Sequence, residues 1–502
     1  MTSVPSLPTT SSTSFTSSMT SMTPAPPPIS PRPAVPEGIL RELGRTEGGP
    51  DALALLVRDQ YTRRLILLRA LLDAAEAAPA AVCPPHALER LRADWALLED
   101  AERADRAAAR AVLLYPLTGP WAERCLRGLT ARPRSAYRGE LRLELAADLA
   151  HFSALAATAA IRARLPFTGR LTAHDGLLVL PTLGALRTGA ERNTLARARV
   201  ELAYRDDHLT VRQENAPPVT VQTRPDGARS ADPRWLPVLT LPPLRPGAVP
   251  VPVDDLHPYR TAGSGLERHG LSGVSRLDDG ERAAWAQSWA DVGPLLRVGG
   301  AHRPAETAAL LHCLVPLSRP PGSAPTGEGA AHCSGTRREA FGAVLSSQPA
   351  TPAFLASTLV HELQHTKLAA LAALTPMHHE DATPRHFAPW RSDPRPFDGL
   401  LQGAYSHLAL ADYWQRFALG AERLSHRDHA WAEHARCREQ VGAVLPVLAG
   451  SGELTTEGRV LVNEMIAVYH RLADSPPPAG HLARAGAYVR TARMIWRQRN
   501  GT

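Results

Sequence analysis

The chain of 502 residues has a single lysine, Lys367, and only five cysteines, and each scarcity removes a class of function. With one lysine, the net charge of +7 is carried almost wholly by arginine, spread through an Ala-, Arg- and Pro-rich sequence with acidic residues interleaved. No basic block stands out as a phosphate-binding patch, so nucleic acid is not an expected partner. The composition is that of a GC-rich bacterial coding sequence. Cys83, Cys125, Cys313, Cys333 and Cys437 are odd in number and far apart, forming neither a C-x-x-C zinc knuckle nor an iron-sulfur spacing. That argues for a reducing, cytoplasmic compartment in which each cysteine is a small buried hydrophobe. No run approaches the roughly eighteen consecutive apolar residues of a membrane span, so no membrane is expected. The N-terminus lacks a basic start followed by an apolar stretch. Instead, residues 1–36 are a Ser/Thr/Pro tract with almost nothing to bury, expected to be disordered or the product of a start codon placed too far upstream. There is no internal repeat, no P-loop, no G-x-G-x-x-G and no G-x-S-x-G.

What is present is ample core material, 44% hydrophobic, over a length that suits two to four domains. Residues 37–168 carry apolar positions at three- and four-residue spacing and predict a helical N-terminal region. Within residues 169–300 the character changes. Stretches 176–181, 198–204 and 208–212 cluster or alternate β-formers between prolines and glycines, and helical spacing returns near 275–296. Residues 301–420 hold a helical stretch at 304–314, a Pro/Gly/Ser loop at 320–329, a short strand at 341–346 and then a helix. Residues 421–502 read as helical in three pieces, broken at 450–452 and 476–478. The expected fold is α+β, mainly α: a helical N-terminal layer, a β-rich middle, a zincin-like core around one helix, and a helical C-terminal region.

That one helix carries the chemistry. Thr351 can cap its free amides and Pro352, at the first helical position, has no amide to leave unpaired. Running to about residue 374, the helix puts His361 and His365 one turn apart on one face, within the string His-Glu-Leu-Gln-His. This spacing lets two imidazoles reach one metal ion, with Glu362 beside them to act on bound water or orient the site. By composition such a string arises about four times in a hundred chains like this one, and two histidines satisfied in a core or by solvent would explain it without a metal. A third ligand must come from elsewhere. The metzincin extension is excluded, because Leu368 and Leu371 stand where it needs Gly and His. Glu464 is a distant gluzincin-type candidate, and His407, on a later helix, is the nearer one. His426-Arg427-Asp428 is a chance H-x-D, and the cluster from Met377 through Asp381 is a solvated loop or an adventitious metal binder.

Four separated blocks carry a resemblance. Residues 358–368 (TLVHELQHTKL), 388–396 (APWRSDPRP), 399–405 (GLLQGAY) and 411–414 (ADYW) closely resemble the bacterial HExxH-motif peptide β-hydroxylases, and 334–346 is similar too. The specific likeness spans roughly 334–414. It implies an Fe(II)- and 2-oxoglutarate-dependent dioxygenase that hydroxylates an unactivated Cβ in a ribosomally made, post-translationally modified precursor peptide. On that basis His361, His365 and His407 are the metal ligands, and Glu362 is a ligand or an orienting group. The distal carboxylate of 2-oxoglutarate calls for a guanidinium fork, for which Arg391 and Arg395 are the candidates. Trp390 and Tyr405 are candidates for the peptide groove or for core packing. Two other readings stay open: a zinc metallopeptidase with Glu362 as general base, and a peptide-binding module whose metal site is structural or lost. Neither the peptide nor the oligomeric state can be read from these residues.

Overall fold

Alanine and leucine at helical spacing, punctuated by proline, fold the first part of the chain as helices Glu37–Gly44, Pro50–Ala77, Pro85–Ala104, Arg106–Leu113, Thr118–Thr130 and Arg138–Arg162. Prolines open two of them, and the Asp105 side chain caps Arg106–Leu113 by accepting from the Ala108 amide at 3.0 Å. This computed structural model describes residues 35–131, 138–188, 198–225, 227–261, 271–320, 332–379 and 382–501. The tail through residue 34, most of the loop expected at 320–329, and Glu380 and Asp381 of the His-rich cluster lie outside the described residues. From Val35 onward the chain is one compact unit.

Helix Arg138–Arg162 joins two layers. Leu149, Phe152 and Leu155 pack among the helices, while Ala154, Ala157 and Ile161 face a β layer, the two alanines allowing close approach. That layer contains an antiparallel five-stranded sheet, in the spatial order Phe167–Thr172, Arg199–Arg205, His208–Gln213, Val219–Arg224, Gly227–Arg229. Strand Val219–Arg224 alternates buried and exposed at every residue, as a sheet with one solvated face requires. A three-stranded sheet, Leu177–Leu180, Gly184–Arg187 and Trp235–Pro237, adjoins it in sequence.

A third, mixed sheet has the order Ser334–Thr336, Ala343–Ser347, Cys313–Leu317, Val251–Val253, Leu239–Leu241. Its three central strands are parallel and both outer strands antiparallel. Strands Cys313–Leu317 and Ala343–Ser347 are buried at every position, the signature of strands covered on both faces. The helix expected over 304–314 is therefore shorter: it spans Arg303–Leu310, and the apolar run after it enters the sheet. A short continuous apolar run has no period by which a buried strand could be told from a buried helix.

The remaining helices are Asp279–Ala290, Val292–Val298, Pro352–Leu374, Phe397–Gly420, Leu424–Gly442, Leu445–Ala449, Thr456–Arg471 and Ala479–Asn500. Helix Pro352–Leu374, the motif helix, forms as expected, with Thr351 accepting from the Phe354 amide at 3.2 Å. It packs against Phe397–Gly420, the partner helix, and against Ser334–Thr336, the edge strand of the mixed sheet. All five cysteines are free and buried. No helix among the described residues is long and apolar enough to cross a membrane.

Candidate functional site

Around the motif, every position from Glu362 to Leu368 is buried except His365, and His361 shares its partial opening. The two histidines thus form a narrow accessible stripe on an otherwise buried helix. Their Nε2 atoms lie 3.2 Å apart, with the rings at 82°. Two nitrogen ligands at about 2.0–2.1 Å from one ion sit about 3.0–3.4 Å apart in tetrahedral or octahedral arrangement, so the pair has the separation a shared ion requires. The same contact serves as an N–H···N hydrogen bond in the free protein, with an ion able to replace that proton.

The outer nitrogens are held by groups that neighbour the motif only in space. His365 Nδ1 donates to Gln402 Oε1 at 3.2 Å, and His407 Nδ1 donates to the Gly403 carbonyl at 2.8 Å. Such bonds select the tautomer whose Nε2 lone pair is free, the arrangement found behind metal-bound imidazoles. Nδ1 of His361 is buried without a partner. Burial pushes the His361 imidazole well below its ordinary range, with His365, His407 and Arg436 adding to the effect. Burial likewise holds His407 down to about 3, against the pull of the Gly403 carbonyl. Neutral imidazoles are the form that ligates.

His407 lies beside the pair, its ring centroid 5.2 Å from that of His361. It stacks on Trp390 at 4.5 Å and 19°, and Gly403 allows the stack, because a Cβ there would lie 2.3 Å from a Trp390 ring carbon. Trp390 therefore braces a histidine. Among the described residues, however, no group of three or more His, Cys, Asp or Glu side chains is arranged to hold a metal ion. The histidine pair converges, and His407 abuts it without converging as a third donor.

Glu362 is 3% exposed and accepts from the Ser334 hydroxyl at 2.7 Å, tying the motif helix to the edge strand. Its other carboxylate oxygen is buried and unpartnered. Burial pushes this carboxyl up, while His365 and the hydroxyls of Ser334 and Thr336 act against the rise.

The other candidates sort by their contacts. Arg391 and Arg395 both turn to Asp393, at 2.9 and 3.5 Å. Tyr405 is buried at 1% exposure and donates to the Leu43 carbonyl at 2.5 Å, so it packs the core and does not line a groove. Glu464 pairs with Arg41 and Arg45, at 3.2 and 3.5 Å, and so is committed to helix Glu37–Gly44. Asp428 of the H-x-D string meets His481 at 2.9 Å. His378 faces Asp398 at 3.4 Å.

Three contributors were missed in the sequence. Gln402 lies inside a block quoted for the resemblance, yet nothing local marks its side chain as facing His365. Asp398, whose carboxyl, despite burial, the nearby His378, Arg338 and His365 hold low, spends its oxygens on Arg338, at 2.6 Å, and His378. Arg436, on helix Leu424–Gly442, is a cation felt by both His361 and His407, and it pairs with Glu433. In a chain so rich in arginine no composition signal singles it out. Compared with known proteins, the chain matches no family model and no curated protein.

Proposed function

We propose that the chain is an Fe(II)- and 2-oxoglutarate-dependent hydroxylase acting on Cβ of a residue in a ribosomally made precursor peptide. The observation that carries the metal-dependent part is the 3.2 Å separation of the His361 and His365 Nε2 atoms. These two would hold the iron, with His407, already against His361, as third donor. The choice of hydroxylation over hydrolysis rests on the four sequence blocks. Glu362, 3% exposed and tied through one oxygen to Ser334, is consistent with a bracing role.

Iron with 2-oxoglutarate and dioxygen supplies the oxidising power to insert oxygen into an unactivated C–H bond. The chain's own residues position and shield. Gln402 and the Gly403 carbonyl set the imidazole tautomers, and Trp390 locks the His407 ring. A guanidinium is needed for the distal carboxylate of the cosubstrate. Arg391, Arg395 and Arg436 are the candidates: the first two share Asp393, and the third pairs with Glu433.

The test is anaerobic purification followed by addition of Fe(II), 2-oxoglutarate and a candidate precursor peptide. The expected result is about one iron per chain, release of succinate, and a peptide heavier by roughly 16 mass units, one oxygen atom. Tightly held zinc with peptide fragments would instead establish the peptidase. His361→Ala should empty the site of metal in either case, read by elemental analysis.

A further inference from the structure

We propose that a cavity remote from the motif helix is a binding site for a carboxylate borne on a small apolar body, whether a free acid or the end of a peptide chain. The cavity, about 230 Å³, lies between helix Arg138–Arg162, the turn that links strands Phe167–Thr172 and Leu177–Leu180, and the loop after strand Val251–Val253. No residue of the motif helix or the partner helix lines it.

The sequence builds its rim locally. Asp175 and Gly176 adopt φ of 50° and 72°, and His174 and Leu177 exchange two backbone hydrogen bonds at 2.9 Å. This is the tight two-residue turn that an Asp-Gly pair favours, and it sets His174 and Asp175 at the mouth. Ala154, Leu178 and Leu256 supply buried apolar walls.

Two polar side chains at the cavity wall are left unsatisfied. His151 is 6% exposed, and its Nε2 is buried with no hydrogen-bond partner. Arg260 donates from Nη1 to the His257 carbonyl at 3.1 Å, yet its Nε is buried with no partner. Among the described residues no carboxylate lies within ion-pair distance of Arg260, whereas the little-exposed Arg303 and Arg337 each have one. Leaving such donors unmet is costly, so native folds keep them where a ligand or solvent completes the set. Burial, with His257 and His174, keeps the His151 imidazole neutral, so Arg260, with Arg276 also on the lining, supplies the charge and the imidazole a directional hydrogen bond. A planar carboxylate suits a guanidinium fork. The apolar walls and a volume below the roughly 300 Å³ of drug-sized sites restrict the rest of the ligand to a small hydrocarbon body.

The experiment is titration calorimetry on the full chain with benzoate and butyrate, with benzamide and butyramide, and with an Ala-Leu dipeptide bearing either a free or an amidated C-terminus. The expected result is one acid bound per chain, with the matched amide at least about tenfold weaker, the loss of one charge-assisted hydrogen bond. The dipeptide arm distinguishes a chain terminus from a free acid. Arg260→Met should erase the acid-over-amide preference, and His361→Ala should leave it intact, separating this site from the histidine centre. Equal binding of acids and amides, or binding of neither, overturns the proposal on the unmodified protein alone, whatever the folding of the variant. A preference that survives Arg260→Met and vanishes with His361→Ala overturns it as well.

Discussion

Two faces of one helix treat buried polarity in opposite ways. On one face of the motif helix, Lys367 is 1% exposed and fully engaged: it pairs with Glu306 and donates to the carbonyls of Thr46 and Glu47 at 3.1 and 3.0 Å. Glu306 also meets Arg303 at 2.8 Å, and Arg303 donates to the Thr46 carbonyl at 3.0 Å. Thr46 holds a left-handed φ of 60° to present that carbonyl. On the other face, His361 and Glu362 each keep a buried polar atom with no partner. The first face is architecture, fastening the N-terminal turn to the motif helix through paired charges, although Arg303 Nε and Gln364 Oε1 are buried there without a partner. On the other face, among the described residues, no ion pair compensates the Glu362 carboxyl, and that difference in charge pairing separates the two faces.

The contrast is visible in the protonation behaviour. Burial alone would raise the Glu306 carboxyl, but Lys367 and Arg303 outweigh it and hold the group at about 2. Burial brings Lys367 down to about 8, with Glu306 opposing. No cation does the same for Glu362, so burial wins there and the carboxyl rises.

The largest effect that would break the comparison is expected at the charge-paired face. Lys367→Met removes one of the two buried cations that hold the Glu306 carboxylate, leaving Arg303 alone, and should destabilise the protein by about 3 kcal/mol, read from the midpoint of urea unfolding. Adding Glu306→Leu should recover little of the loss, since it leaves buried Arg303 without its carboxylate at 2.8 Å. If Lys367→Met unfolds like the parent, the network is not what fastens this face. At the histidine face, Gln402→Leu should leave urea unfolding near that of the parent yet weaken metal binding about 10–100-fold, because the His365 ring loses the acceptor that orients it. Competition with a chromophoric chelator measures this, and an equal loss of stability and affinity would erase the distinction between the faces.

The smallest effect comes from Asp94, an intermediate case far from both faces, whose carboxyl burial raises to about 6 although the Ser153 hydroxyl donates to it at 2.6 Å. A carboxyl raised in the folded state favours folding below its unfolded value near 3.8, and that contribution is lost as pH rises through about 6. Asp94→Asn should therefore be more stable than the parent at pH 7 and show no advantage at pH 4. Parallel urea titrations at the two pH values check it; an advantage of the same size at both would show that ionisation is not the cause.

Much of the architecture was legible because it is written in local signals. Thr351 and Pro352 announce the start of the motif helix, the Ser/Thr/Pro and glycine breaks mark boundaries, and alternation in 198–204 and 208–212 matches strands Arg199–Arg205 and His208–Gln213. The segment 311–314 was not legible, since a buried strand of the mixed sheet and the end of a buried helix share the same apolar run. At the site, the pairing of His361 with His365 follows from a period of 3.6 residues. His407 was a candidate from its place on a later helix, but its stacking on Trp390 depends on Gly403 having no side chain.

By itself the sequence determined the motif helix, its cap and the common face of its two histidines, because those follow from backbone hydrogen bonding and side-chain spacing over a few residues. Only the tertiary structure decided which distant groups meet that helix: Glu464 goes to Arg41, Lys367 to Glu306 and the turn at Thr46, Gln402 to His365, and Arg436 to the neighbourhood of His361 and His407. Each of those contacts spans tens to hundreds of residues, and among so many arginines and carboxylates the partners are selected by packing, not by anything adjacent in the chain.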